Sequence, residues 1–272
     1  MAAHIHSVGI DLGGTWIRLE AVDAQGRRVR SLKAPAPSWK DLPGFLKQTF
    51  RAWKACSPRR ARPRHLVLGS RGVWTPQERN RLRRALRKLA QNVRVISDVE
   101  AAWHAAFKSG AGIVVISGTG SIAFGRDGRG RSQRAGGWGP LLGDEGSAFW
   151  IGKTWLHRTR GHDFVPRPSV RRTAALAPHI LRLAHEGNRL AKEIVRDAQH
   201  HLADLACSLA RRLRLKKLIP LSWAGSLLGN PGFRAGFLTA LRRSGRRFQA
   251  TAPGMTPAQA IAKLPSFPLP RG

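Results

Sequence analysis

Apolar positions fall into short runs and longer amphipathic stretches that alternate along the 272 residues. Ser7–Asp23 reads as two strands joined at Gly13-Gly14, with Ile17, Leu19 and Ala21 alternating with Trp16, Arg18 and Glu20. After the turn at Gln25-Gly26, Arg28–Lys33 is a third strand, 34–38 is a loop, and Leu42–Ala55 is a helix with Phe45, Leu46, Phe50 and Trp53 inward. His65–Gly69 and Val93–Ser97 are strands. They flank a helix over Gln77–Gln91, whose Leu82, Ala85, Leu86, Leu89 and Ala90 recur at helical spacing, and Val99–Lys108 is the helix that follows. Ile113–Ile116 is a β-branched run suited to a strand buried on both faces, and Ile122–Arg126 is a second strand ending at an Asp127-Gly128 turn. Helices are expected over Glu145–Thr159, Ser169–Glu186 and Asn188–Leu213, with Trp150 and Trp155 packing, then a strand over Leu218–Trp223 and a helix over Phe233–Arg243. A short helix near Pro257–Leu264 precedes a Pro-rich tail expected to be disordered. Strands that alternate with helices predict an α/β fold.

Charge adds a constraint. Lys plus Arg number 48 against 15 Asp plus Glu, a formal +33 with a sequence pI near 12. Such a field attracts ATP and phosphosugars, and equally nucleic acid or an anionic membrane surface. The arginines of 77–91 occupy the face opposite the leucines, which reads as a solvated face; non-specific nucleic-acid binding stays as the alternative. Nothing in the chain matches a zinc finger or an RNA-recognition signature. Cys56 and Cys207 stand far apart with no metal-ligand spacing, so both read as thiols. No stretch approaches the ~18 apolar residues of a membrane span. The start, MAAHIHSVGIDLGG, lacks a signal-peptide pattern, so a cytoplasmic protein with no membrane partner is expected.

Candidate chemistry gathers around the glycines. Ser117-Gly118-Thr119-Gly120-Ser121 breaks off the Ile113 strand with hydroxyls and backbone N–H groups able to meet phosphate oxygens. Gly136-Gly137-Trp138-Gly139 and Gly143-Asp144-Glu145-Gly146 then set an aromatic face and a carboxylate in a tight loop, which suits a sugar. Gly13-Gly14 alone is equally an ordinary hairpin turn. Asp98 taken alone reads as a helix N-cap, within Ser97-Asp98-Val99-Glu100.

SGTGS followed by GGWGPLLGDEGSAFWIG resembles the signature of the N-acetylglucosamine kinase and BadF-type ATPase family, a branch of the sugar kinase, heat-shock ATPase and actin superfamily. The resemblance implies two ribonuclease-H-like α/β domains, 1–110 and 111–272, with a cleft between them that closes on substrate, the final helix near 255–264 packing back on the first. It implies an ATP-dependent kinase acting on a hydroxyl of an amino sugar: N-acetylglucosamine, glucosamine or a muramic-type sugar. By it, Asp98 is the general base and Asp11 holds Mg²⁺. Gly13, Gly14, Thr15, Gly118, Thr119, Gly120 and Ser121 face the phosphates, with Gly225 and Ser226 at the adenosine. Ser70, Arg71, Gly72, Trp138 and Asp144 line the sugar. The expected partners are ATP and a small sugar, with a homodimer left open.

Three departures bear on the substrate. The 34–38 loop lacks the family's sugar-contacting Asn, Gln259 stands where a Gly is usual, and the second half is short. Arg71 interrupts a turn usually built of small residues; facing the pocket it would suit the carboxylate of an acidic sugar, and facing solvent it would be idle. Two rival functions remain. One is an activator ATPase of the 2-hydroxyacyl-CoA dehydratase or benzoyl-CoA reductase type, which needs cysteines holding an iron–sulfur cluster. The other is a basic nucleic-acid-binding protein on a kinase scaffold.

Overall fold

The computed structural model describes residues 4–53, 62–141, 143–160, 169–216 and 218–264. Cys56 with most of the basic connection before Arg64, the loop expected over 162–168 and the Pro-rich tail lie outside the described residues. The chain divides into two compact units, Met1–Lys108 with Gly254–Gly272, and Ser109–Pro253.

The first unit is built on β1 (Ser7–Leu12), β2 (Trp16–Val22), β3 (Arg28–Pro35), β4 (His65–Ser70) and β5 (Asn92–Ser97). They form one sheet in the order β3-β2-β1-β4-β5, antiparallel across the first hairpins and parallel from β1 through β4 to β5. Helices α1 (Leu42–Ala52) and α2 (Pro76–Leu86) bury Leu42, Leu46, Phe50, Leu82 and Leu86 with Val8, Ile10, Ile17 and Leu19. A second cluster joins Val67 and Ile96 to Ala101 of α3 (Asp98–Phe107) and Ile261 of α10 (Pro257–Ala262). Gly9 and Gly69 are the seats of these two helices. A Cβ on Gly9 would run into the backbone of Ala258 and Ala262, and one on Gly69 would stand 2.8 Å from the Ala101 Cβ.

The second unit has β6 (Gly112–Ser117), β7 (Ser121–Arg126), β8 (Ser132–Gly136), β9 (Ile219–Ala224) and β10 (Phe248–Ala250) in the order β10-β9-β6-β7-β8. Its pairing repeats that of the first: β6-β7-β8 antiparallel, β6-β9-β10 parallel. Ile113, Val115 and Ala123 pack with α4 (Ala148–Arg160), α6 (Ala177–His185), α7 (Arg189–Arg212) and α9 (Pro231–Arg243). Trp150 and Trp155 lie half-buried against this core, as their spacing predicts.

Several local expectations are corrected. Strands β8 and β10 were not legible, and the helix expected over 169–186 is two, α5 (Val170–Ala174) and α6, parted before Pro178, which has no N–H to continue the ladder. Helix α4 starts at Ala148 rather than Glu145 because Asp144 and Gly146 take φ of 66° and 78°. Helix α2 ends at Leu86, and Ala85 is exposed. Glu20, on the polar side of the alternation, is buried instead. It pairs directly with Gly9, so it shares the sheet face that α10 covers.

Candidate active site

Register assembles the first unit's share of the site. Leu12, Ser70 and Ser97 are lateral neighbours on three parallel strands, so the residues that follow them, Gly13, Arg71 and Asp98, emerge side by side. The Arg71 N–H donates to the Leu12 carbonyl at 3.2 Å and carries the ladder one step further. Asp11 lies one row back, opposite Gly69 on one side and Arg18 on the other. Gly13 closes the hairpin by donating to the Trp16 carbonyl at 3.0 Å, and the Thr15 carbonyl accepts from Ala36.

The cap of α3 is Ser97, not Asp98. Ser97 Oγ accepts from the Glu100 N–H, and the Glu100 carboxylate accepts from the Ser97 N–H at 2.8 Å and binds Arg79 at 2.9 Å. Burial alone would raise the Glu100 carboxyl, but the Ser97 N–H and Arg79 hold it low. Asp98 is thereby released from capping duty at the first helical position, with only Oδ1 engaged by the Val99 N–H at 3.0 Å. Burial pushes its carboxyl up to about 6, against the backbone N–H groups of Val99 and Asp98 and the nearby Arg71 guanidinium. Burial and the Asp98 charge also push Asp11 up to about 6, opposed by Arg18 at 3.8 Å.

Two buried carboxylates raised together want a cation. Asp11 is backed by one distant arginine, and no group of three or more ligating side chains exists among the described residues. Asp11 is the residue that would hold a hard, oxygen-ligated cation such as Mg²⁺ there.

In the second unit the SGTGS loop is knitted to the GDEGSA block. The Ala148 and Phe149 N–H groups donate to the Gly118 and Thr119 carbonyls, Ser117 Oγ to the Gly146 carbonyl and Ser121 Oγ to the Glu145 carbonyl. Asp144 accepts from the Ser121 N–H at 3.3 Å, and a Cβ on Gly120 would stand 2.9 Å from its Oδ2. Burial raises the Asp144 carboxyl; the Ser121 N–H opposes this and Glu145 reinforces it. Within the loop the Gly118 N–H donates to the Gly120 carbonyl at 3.0 Å. Ser226 Oγ lies beside Gly118, 3.6 Å from where a Cβ would be, an ordinary contact distance. Gly225, at φ 92°, lies so close to the Ser117 backbone that no side chain fits. A cleft of about 330 Å³ opens beside this junction, lined by Thr119, Ala148, Arg171, Ser226, Leu227 and Asn230 among others. Trp138 is 62% exposed, with the Arg134 guanidinium 4.7 Å from its ring centre.

Three residues beside these groups were missed in the sequence. Arg18 was findable, since the Gly13-Gly14 hairpin aligns it with Asp11. Trp39, whose ring a Cβ on Gly72 would approach to 3.6 Å, belongs to a loop with no periodic signal. Arg171 reaches the cleft through helix packing that no local pattern encodes.

Each unit thus carries a five-stranded mixed sheet of the same pairing with a glycine loop where its first hairpin turns. The sequence profile of the BadF/BadG/BcrA/BcrD ATPase family matches residues 8–259, and the chain belongs to that family. It is 39% identical over 89 residues to an N-acetylmuramic acid/N-acetylglucosamine kinase of Clostridium acetobutylicum, which is 32% of this chain and 29% of that protein. It is 31% identical over 160 residues to an N-acetyl-D-glucosamine kinase of Dictyostelium discoideum, 47% of this chain and 50% of that one. The matched stretches thus span half or less of these curated relatives. Among solved structures, a candidate N-acetylglucosamine kinase of Chromobacterium violaceum superposes with a TM-score of 0.73 at 22% identity, covering 96% of this chain and 99% of its own. A glucokinase of Streptomyces griseus, solved with glucose and AMPPNP, gives 0.59 at 15%, covering 95% and 98%. These likenesses show that the chain shares the two-sheet α/β fold of those structures.

Proposed function

We propose that the chain is an ATP-dependent kinase that phosphorylates a hydroxyl of an amino sugar, N-acetylglucosamine, glucosamine or a muramic-type sugar. The observation that carries the reading is Asp98, a carboxylate freed from capping by Ser97 and Glu100 and set beside a glycine hairpin at the ends of parallel strands. Its carboxyl, pushed to about 6, is ionised at neutral pH yet basic enough to accept a proton. Asp98 takes the proton of the acceptor hydroxyl as its oxygen bonds to the terminal phosphorus and the bridging oxygen leaves with ADP. Mg²⁺, held through Asp11, would offset charge on the phosphates. Gly13 to Thr15 and Thr119 to Ser121 would hold those phosphates, and the cleft beside Gly225 and Ser226 the adenosine. Asp144 and Trp138 are assigned to the sugar, with Trp39 beside Gly72 as a further aromatic face.

The activator reading is disfavoured by Cys207, which is buried on α7 rather than held in a glycine loop. Among the described residues no helix is long and apolar enough to cross a membrane. A kinase drawing on ATP fits a cytoplasmic setting.

The test is coupled ADP release over a panel of hexoses, amino sugars and muramic derivatives, run with the wild type and Asp98→Asn. Turnover confined to amino sugars, and lost in the variant, is expected. ADP release that ignores every sugar would overturn the proposal.

A further inference from the structure

Arg71 has a placement that the sugar-pocket and solvent alternatives both leave unexplained. It follows Ser70 on β4, and its backbone is tied to Leu12 at the end of β1. Its side chain lies over the glycine hairpin: a Cβ on Gly14 would stand 3.0 Å from Nη1, 3.5 Å from Cζ and 3.8 Å from Nε. The glycine that lets a phosphate approach therefore has a guanidinium in the space above it. Arg71 forms no ion pair within 4.0 Å among the described residues, yet its charge is felt at Asp98, whose row it shares. No carboxylate stands within 4.0 Å of the guanidinium among the described residues, which leaves it available to a further anion.

Resting on the kinase reading above, we infer that Arg71 is a catalytic residue that grips the phosphoryl group in transit, rather than a sugar-specificity residue. The transfer breaks the bond between the bridging oxygen and the terminal phosphorus and forms one from the sugar oxygen to that phosphorus. The hydroxyl proton goes to Asp98, and ADP carries off the electron pair. Charge spreads over the three equatorial oxygens of the moving group, and a planar fork of N–H donors between the hairpin and the base matches them. Arginine holds its charge at every working pH and lies over the loop before ligand arrives, so no reorganisation is needed at the moment of transfer. The same charge favours the ionised form of Asp98, which keeps the base unprotonated before transfer.

A grip on the terminal phosphoryl predicts discrimination between ATP and ADP that needs no sugar. Arg71→Ala and Arg71→Lys are compared with wild type by calorimetry, with Mg²⁺ and either ADP or a non-hydrolysable ATP analogue. In the Ala variant the analogue should bind at least about 10-fold more weakly while ADP stays within about 2-fold, which also shows that the variant is folded. With the best sugar, kcat should fall about 10²-fold with sugar KM within about 3-fold, and Lys should recover part of the loss. An unchanged ratio of analogue to ADP affinity would overturn the inference. So would an effect confined to sugar KM or to the preference between acidic and neutral sugars. Should the wild type phosphorylate no sugar at all, the kinase reading fails separately, and the nucleotide ratio still decides the role of Arg71.

Discussion

At the scale of the residue, the site depends on which carboxylates are free and which are spent. Glu100 is spent on Ser97 and Arg79, and Asp98, at the first helical position, stays out of that network. Asp98→Asn should therefore lower kcat by about 10²–10⁴ with ATP affinity near wild type. Its effect on stability has a sign that separates it from general damage. The folded carboxyl titrates near 6 against 3.8 for the free group, so the folded state binds the extra proton between these values. The contribution of Asp98 to stability is then most favourable below pH 4 and falls as pH rises towards 6, beyond which the cost of burying the charge is complete. Asp98→Asn removes that cost, so its melting temperature should exceed wild type at pH 7.5 and match it at pH 4. A variant less stable at both values would mean that Asp98 is structural. Asp144 is the opposite case, since its carboxylate already holds the Ser121 N–H and crowds Gly120. Gly120→Val should displace it and weaken nucleotide and sugar binding together, by about 10-fold or more each in calorimetry. Loss of ATP affinity alone would leave Gly120 a phosphate contact with no bearing on the sugar.

At the scale of the element, helix termini and helix seats put the reactive groups where they are. The capping box of α3 fixes the direction in which Asp98 leaves the strand. Ser97→Ala should cost ~1 kcal/mol in urea unfolding and lower kcat beyond what that loss explains. Normal turnover in a destabilised variant would show that the cap serves stability alone. Much of this was legible beforehand. The β-branched run at Ile113 and the repeated pattern of strand ending in glycine gave most of the strands and both glycine loops, because those segments are buried on both faces or turn sharply. The hairpin through Gly13-Gly14 even encoded the Asp11–Arg18 pair by counting. What escaped depends on neighbours. Ser132–Gly136 has no β-branched residue and owes its strand conformation to pairing with β7. Glu20 looked solvated until α10 covered its face, and that helix comes from the far end of the chain. Gly9→Ala drives a methyl into the α10 backbone and should destabilise the protein by about 1–3 kcal/mol, read in the same urea curves.

At the scale of the whole molecule, the +33 charge is the property that no single site explains. Some of the cations sit on exposed helix faces, as in α2, where Leu82 and Leu86 are buried and Arg81, Arg83 and Arg84 are not. A field of this kind acts over about 10 Å at 0.1 M salt and about 3 Å at 1 M, so it draws anions towards the protein without choosing among them. The contacts proposed for bound phosphate are of another kind, short-range and shielded from solvent ions. Raising KCl from 50 mM to 0.5 M should then raise the KM for ATP by about 10-fold while kcat changes by less than about 2-fold, and the KM for a neutral sugar should stay flat. Duplex DNA should compete with ATP at low salt and lose its hold steeply as salt rises, as counterion release requires. A KM for ATP that ignores salt would show that the surface charge plays no part in nucleotide capture. Duplex binding that persists at 0.5 M KCl would point instead to a built nucleic-acid surface, and the exposed face of α2 is the first place where Arg→Ala changes should then reduce it.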